Sequence, residues 1–182
     1  MHFNEAKATQ AAARFLTLRG GRMSYMKLIK LLYLLDREAL IRWGRPVTTD
    51  AYVSMDRGPV VSRIYDLITD EPSPESTSVW QGSISRVDGY EVELRNDPGA
   101  NELSDAEDEL VAEIFGLYGR MSRWDIVRLC HDLPEWENPQ GSALPIEYRD
   151  ILRGAGKTES EIARIEDELE FLSLSSCLLP SA

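Results

Sequence analysis

Three side chains able to ligate a metal stand in a row at Cys130-His131-Asp132. Thiolate, imidazole and carboxylate are all zinc donors. Consecutive residues on a helix point about 100° apart, however, so these three do not converge on one ion. The other histidine and cysteine, His2 and Cys177, are distant and complete no ligand pair. The expectation is no metal: Cys130 packs as a small hydrophobe, while His131 and Asp132 cap a helix end. With no C-x-x-C pair and no basic cluster beside either cysteine, neither a disulfide framework nor a reactive thiol is expected.

Ser24-Tyr25-Met26-Lys27 matches S-x-x-K, which can set a lysine beside a serine nucleophile on one helical turn. The S-D-N and K-T-G companions of that chemistry are absent, and a helix N-cap accounts for Ser24 without catalysis. Carboxylates crowd residues 105–113 and 159–170. Acid–base work needs their environments to separate their pKa values. On polar helix faces beside capping boxes they read as solvated surface. Gly20-Gly21 and Gly154-Ala155-Gly156 fit no phosphate loop. No catalytic, cofactor-binding or metal residue is therefore assigned, no cofactor is expected, and a cryptic serine or metal hydrolase is kept only as a remote alternative.

Arg14, Arg19, Arg22, Lys27 and Lys30 gather around the first two helical segments, as a helix-turn-helix unit would need. The second segment is too apolar for a recognition helix lying in a groove. Residues 1–70 carry 11 Lys+Arg against 7 Asp+Glu, whereas residues 71–182 carry 9 against 24. The acidic remainder would be repelled by phosphate backbones. A DNA-binding regulator of its own operon is accordingly the alternative, and a nucleic-acid partner is not the leading expectation.

The elements that must position these residues follow from periodicity. Ala8, Ala11, Ala12, Phe15 and Leu16 mark a helix over residues 4–18, with Asn4 as N-cap and Gly20-Gly21 as its stop. Ser24 to about Trp43 forms a second helix, apolar over so wide a face that it should be the centre of the core. Gly44 and Pro46 end it. Thr48–Met55 reads as a short strand, Asp56-Arg57-Gly58 as a turn, and Pro59 as the first turn of a third helix carrying Val60, Ile64, Tyr65 and Ile68. Asp88-Gly89 predicts a two-residue hairpin turn with Val87 opposite Tyr90 and Arg86 opposite Glu91. Ser104 with Glu107, and Thr158 with Glu161, are capping boxes opening helices to Tyr118 and to about Leu172. Helices over 123–131 and 146–152 lie between. The fold class expected is mainly α, α+β at most: one domain of six to seven helices with a small antiparallel hairpin.

The hydrophobic fraction of 43% in 182 residues is enough for a core without staples. No run reaches the roughly 20 apolar residues of a membrane span, and the N-terminus lacks signal-peptide regions. The expected location is cytoplasmic, with no membrane partner.

The central block resembles the SocA-like antitoxins, or Panacea domain. The matching text is residues 26–36, MKLIKLLYLLD, then GRPV at 44–47, AYVSMDRGPVV at 51–61, and Ile64-Tyr65. Leu103-Ser104 and HDLPEW at 131–136 look like later landmarks of the family. The resemblance spans about residues 10–155 as a common core, leaving 156–182 as a C-terminal helix and tail. The motif residues are Lys27, Leu28, Lys30, Leu31, Leu32, Tyr33, Asp36, Gly44, Pro46, Gly58, Pro59, Val60, Tyr65, His131, Pro134 and Trp136. What the resemblance implies is an antitoxin, not an enzyme, that neutralises a neighbouring toxin by direct contact. One family member is described as handing its toxin to a Clp-type protease. Most motif residues read as scaffold. Arg57 and Trp136 are the candidates for partner contact, together with acidic faces suited to a basic toxin surface.

Overall fold

The computed structural model describes residues 2–70, 77–87 and 89–178, with side chains to residue 175. Its elements begin with α1 (Glu5–Arg19), β1 (Arg22–Ser24), α2 (Tyr25–Trp43), β2 (Tyr52–Met55), β3 (Gly58–Val61) and α3 (Ser62–Thr69). There follow α4 (Val79–Ser83), β4 (Ile84–Val87), β5 (Glu91–Leu94), α5 (Asp105–Tyr118) and α6 (Arg123–His131). The chain closes with β6 (Leu144–Ile146), α7 (Tyr148–Gly154) and α8 (Glu159–Leu178). The described residues are thus mainly helical, with two small antiparallel sheets ordered β1-β5-β4 and β3-β2-β6. Among the described residues eight helices stand where six or seven were expected. The addition is α4, whose five residues are too few for periodicity to reveal.

Helix α2 runs through the middle and packs against α1, α5, α6, α7, β1 and β3. Leu28, Leu31, Leu32 and Leu35 are fully buried there. These four form one stripe, and Ile29, Leu34 and Leu40, also buried, extend apolar surface to other sides of the helix, which is why it can serve neighbours all round. Gly44 ends α2 in the left-handed region, φ 71°, with its N–H on the Leu40 carbonyl. At the start of α1 the Asn4 carboxamide accepts from the Lys7 N–H, and both expected capping boxes are formed.

Several sequence-based expectations need correction. Pro59 does not open a helix; it lies in β3, opposite Ser54 of β2, and α3 begins at Ser62. β3 is an edge strand, where a residue without an N–H does no harm to the ladder. The N-terminus of α3 is capped from a distance, by the Asp50 carboxylate accepting from the Arg63 and Ile64 N–H groups. The hairpin register is also different: Val87 faces Glu91 and Arg86 faces Val92. Asp88 lies outside the described residues. Gly89 and Tyr90 both have positive φ, so Tyr90 belongs to the connection. Pairing of β5 with β1, through Met23 opposite Val92, favours this register because it buries Val92. The Arg86–Glu91 charge pair is not formed; Glu91 pairs with Arg22.

Ile146 is in β6 and not in a helix, which starts at Tyr148. The strand expected from Thr48 starts only at Tyr52, because residues 47–50 are held by side-chain hydrogen bonds. The final helix runs to Leu178, beyond the expected Leu172. No helix among the described residues is long and apolar enough to cross a membrane.

Candidate partner-binding site

The polar residues of α2 face four different parts of the chain. Lys27 is buried, and its Nζ donates to the carbonyls of Gly119 (2.6 Å) and Met121 (2.5 Å) at the α5–α6 junction. One turn on, the Lys30 Nζ donates to the Pro59 carbonyl at 2.6 Å. The Tyr33 hydroxyl donates to Glu135 Oε1 at 2.9 Å, and Arg37 Nε reaches the same carboxylate at 2.7 Å. Asp36 accepts from the Val47 and Thr48 N–H groups, the Thr48 hydroxyl and, at 3.0 Å, the Tyr52 hydroxyl. Spacings of three and four residues explain the pattern: the five side chains spiral along one helix, each tying down a loop or strand.

Burial sets their charge states. Desolvation pushes the Asp36 carboxyl up to about 6, against the hydrogen bonds from Thr48 and Tyr52, which favour the anion. The same cause lowers Lys30 to about 8 and raises the Cys130 thiol to about 11. A thiol held that high is protonated at neutral pH and is no nucleophile. Cys130 is fully buried, as its sequence environment predicts, while the side chain of Cys177 lies outside the described residues.

Ser24 and Lys27 are not joined. Lys27 is bound to two carbonyls, and the Ser24 hydroxyl is buried without a hydrogen-bond partner. Ser24 stands at the N-cap of α2 but makes no side-chain cap; instead the Tyr25 N–H reaches the Tyr90 carbonyl at 3.1 Å. The row of potential ligands weighed at 130–132 also divides. Cys130 points into the core, and the His131 ring stacks on Trp136 with centroids 4.1 Å apart. Asp132 is exposed at the C-cap of α6. No group of three His, Cys, Asp or Glu side chains suited to a metal gathers among the described residues.

Leu28, Leu31 and Leu32 are core, Pro46 is buried, and Pro134 packs against the backbone of Gly154. Trp136, half-buried, donates from Nε1 to the Met55 carbonyl at 3.1 Å. It pins its loop to the end of β2, so its indole is committed internally. Gly58 has φ +93°, and a Cβ there would come within 3.3 Å of both Cys130 Cβ and Lys30 Nζ. Glycine is thus what lets β3 approach α2 and α6 so closely.

Arg57, by contrast, is exposed at the β2–β3 turn, with its guanidinium 5.8 Å from the centroid of the Trp124 ring. Arg123 lies over the same ring at 5.2 Å. Trp124 is 46% exposed. A cavity of about 260 Å³ opens beside Arg57, walled by Tyr25, Met26, Lys30, Met55 and Val60, with Tyr65 completing it. Tyr25 continues the aromatic surface to exposed Tyr90, their centroids 6.1 Å apart. Exposed Trp, Tyr and Arg beside half-buried Met is the composition of an interface anchor.

Of the two contact candidates, the structure leaves Arg57 available and turns Trp136 inward. Glu135, Arg37, Asp50 and Trp124 were not singled out by sequence. A signal existed for Glu135, which sits between the two motif residues Pro134 and Trp136, and for Trp124, a large aromatic among polar residues just after Ser122.

The family model for antitoxin SocA-like proteins, Panacea domain, matches residues 28–137, from the first buried leucine of α2 to just past Trp136. That span contains most of the α2 clamps and the strands and loops they hold. No curated protein and no solved structure matches the chain. The match extends over more than half of the sequence, and the chain belongs to the antitoxin SocA-like family through its Panacea domain.

Proposed function

We propose that this protein is an antitoxin that neutralises a toxin by binding it directly. Family membership carries the reading. The arrangement of side chains supports a binding role: the motif cations and carboxylates of α2 are engaged internally, while an aromatic and cationic surface faces outward at Arg57 and Trp124. In this reading the motif is a scaffold and the partner is met by what the scaffold presents. Co-expression with each neighbouring open reading frame is the test. Rescue of growth together with co-purification is the expected result. A neighbour that is not toxic, or whose toxicity this protein leaves unchanged without binding it, overturns the proposal.

Two finer statements belong to the same proposal. Exposed carboxylates on α5 and α8, including Asp105, Glu109, Asp167 and Glu168, offer a second face suited to a basic toxin surface. Delivery of the toxin to a Clp-type protease is distinguished from plain occlusion by the toxin's half-life: adaptor action shortens it only when the protease is present. The DNA-binding alternative loses most of its patch. Arg14 pairs with Asp108, Arg22 pairs with Glu91, and Lys27 and Lys30 are buried, leaving Arg19 exposed.

A further inference from the structure

The cavity beside Arg57 has a chemistry of its own. Its floor is Lys30, an ammonium that makes one hydrogen bond, to the Pro59 carbonyl, of the three it can give. Its walls are Tyr25, Met26, Met55 and Tyr65. At the rim, Arg57 has no carboxylate partner among the described residues, nor has Arg123 beyond it. The single acidic group of the rim, Asp56, accepts the Gly141 N–H at 2.9 Å and so holds the 138–142 loop in place. Two cations, Lys30 and Arg57, therefore line the cavity with one carboxylate that is already hydrogen-bonded. At about 260 Å³ the space is below the roughly 300–1,000 Å³ of sites for drug-sized ligands, and suits one or two side chains.

We propose that an acidic segment of the toxin docks here, one carboxylate side chain entering over Lys30 while Arg57 and Trp124 hold the residues beside it. This rests on the direct-binding reading above and names the surface and the partner chemistry. Apolar walls with a cation at the bottom select a carboxylate on an aliphatic stem, because the stem buries apolar area and the charge meets a desolvated partner. A neutral amide of the same shape gains the first and loses the second.

The full chain, labelled at its methionine methyl groups, can be titrated by NMR with N-acetyl-Glu-Leu-amide and with N-acetyl-Gln-Leu-amide. The Glu peptide is expected to move the Met26 and Met55 methyls saturably in the millimolar range, leaving Met23 and Met121 unmoved. The Gln peptide should bind about tenfold more weakly, and both Lys30→Met and Arg57→Glu should abolish the preference. Equal binding of the two peptides, no saturable shift at Met26 and Met55, or a preference that survives Arg57→Glu overturns the proposal. Arg57 is an exposed turn residue, so that variant stays informative should Lys30→Met fail to fold. Co-expression separates the two readings. Rescue by wild type but not by Arg57→Glu supports both. Equal rescue by Arg57→Glu overturns the docking site alone. No rescue by wild type overturns the antitoxin reading, and the toxin as occupant with it.

Discussion

Asp36 accepts four hydrogen bonds from three residues and has no solvent contact. Asp36→Ala leaves those donors buried and unpaired, and is expected to cost roughly 3–5 kcal/mol of folding stability by denaturant unfolding. Asp36→Asn keeps an acceptor for the two N–H groups, and the hydroxyls can turn to accept, so it should cost markedly less. A pH dependence follows from the raised carboxyl. Between the ordinary 3.8 and about 6, the folded state holds the Asp36 proton and the unfolded chain releases it. Its contribution to stability is therefore greatest below about pH 4, falls as pH rises and levels off above about 6, a span of about 3 kcal/mol. The difference between wild type and Asp36→Asn, measured by urea unfolding across that range, should show this slope; a flat difference would refute it. Lys30→Met, replacing a buried ammonium by an apolar chain of similar length, should change stability by only about 1 kcal/mol in either direction.

At the scale of elements, two junctions depend on groups far apart in sequence. β3 reaches α2 and α6 only because residue 58 has no Cβ and adopts a positive φ. Gly58→Ala combines about 1–2 kcal/mol of backbone strain with crowding of Cys130 and Lys30, and thermal unfolding should register a loss of roughly 2–4 kcal/mol. The loop after α6 is held by Glu135, whose side chain is completely buried between Tyr33 and Arg37. Glu135→Ala strands the Arg37 charge and the Tyr33 hydroxyl and is expected to destabilise by roughly 3–5 kcal/mol. Helices α1, α2, α5 and α6 were legible from apolar spacing and caps, because those signals lie within one turn of the residues they govern. β1, β3 and β6 were not, since three or four residues become a strand only when a partner strand is beside them. The hairpin shows the same limit: Asp88-Gly89 announced a reversal, but its register was chosen by β1.

Across the whole molecule, the buried polar clamps of α2 and the exposed aromatic and cationic surface at Arg57 and Trp124 are different features. Arg57 and Trp124 lie on the exposed surface, so Arg57→Glu and Trp124→Ala should shift folding stability by no more than about 0.5–1 kcal/mol while weakening partner binding. Parallel melting and co-purification would check this; a large loss of stability would instead make that surface structural. Charge follows the same division. Five of the eleven Lys and Arg residues among the first 70 pair with carboxylates brought from later in the chain: Lys7–Glu107, Arg14–Asp108, Arg22–Glu91, Arg37–Glu135 and Arg42–Glu113. What the sequence determined by itself was the family, the helical class and the apolar centre at α2, because those rest on residue order and local periodicity. Only the tertiary structure decided that Lys27, Lys30 and Asp36 are internal clamps, that Trp136 turns inward and that Arg57 stays free. Whether a charge lies on the surface or in the core is set by which distant backbone groups fold over it, and a single helix does not encode those neighbours.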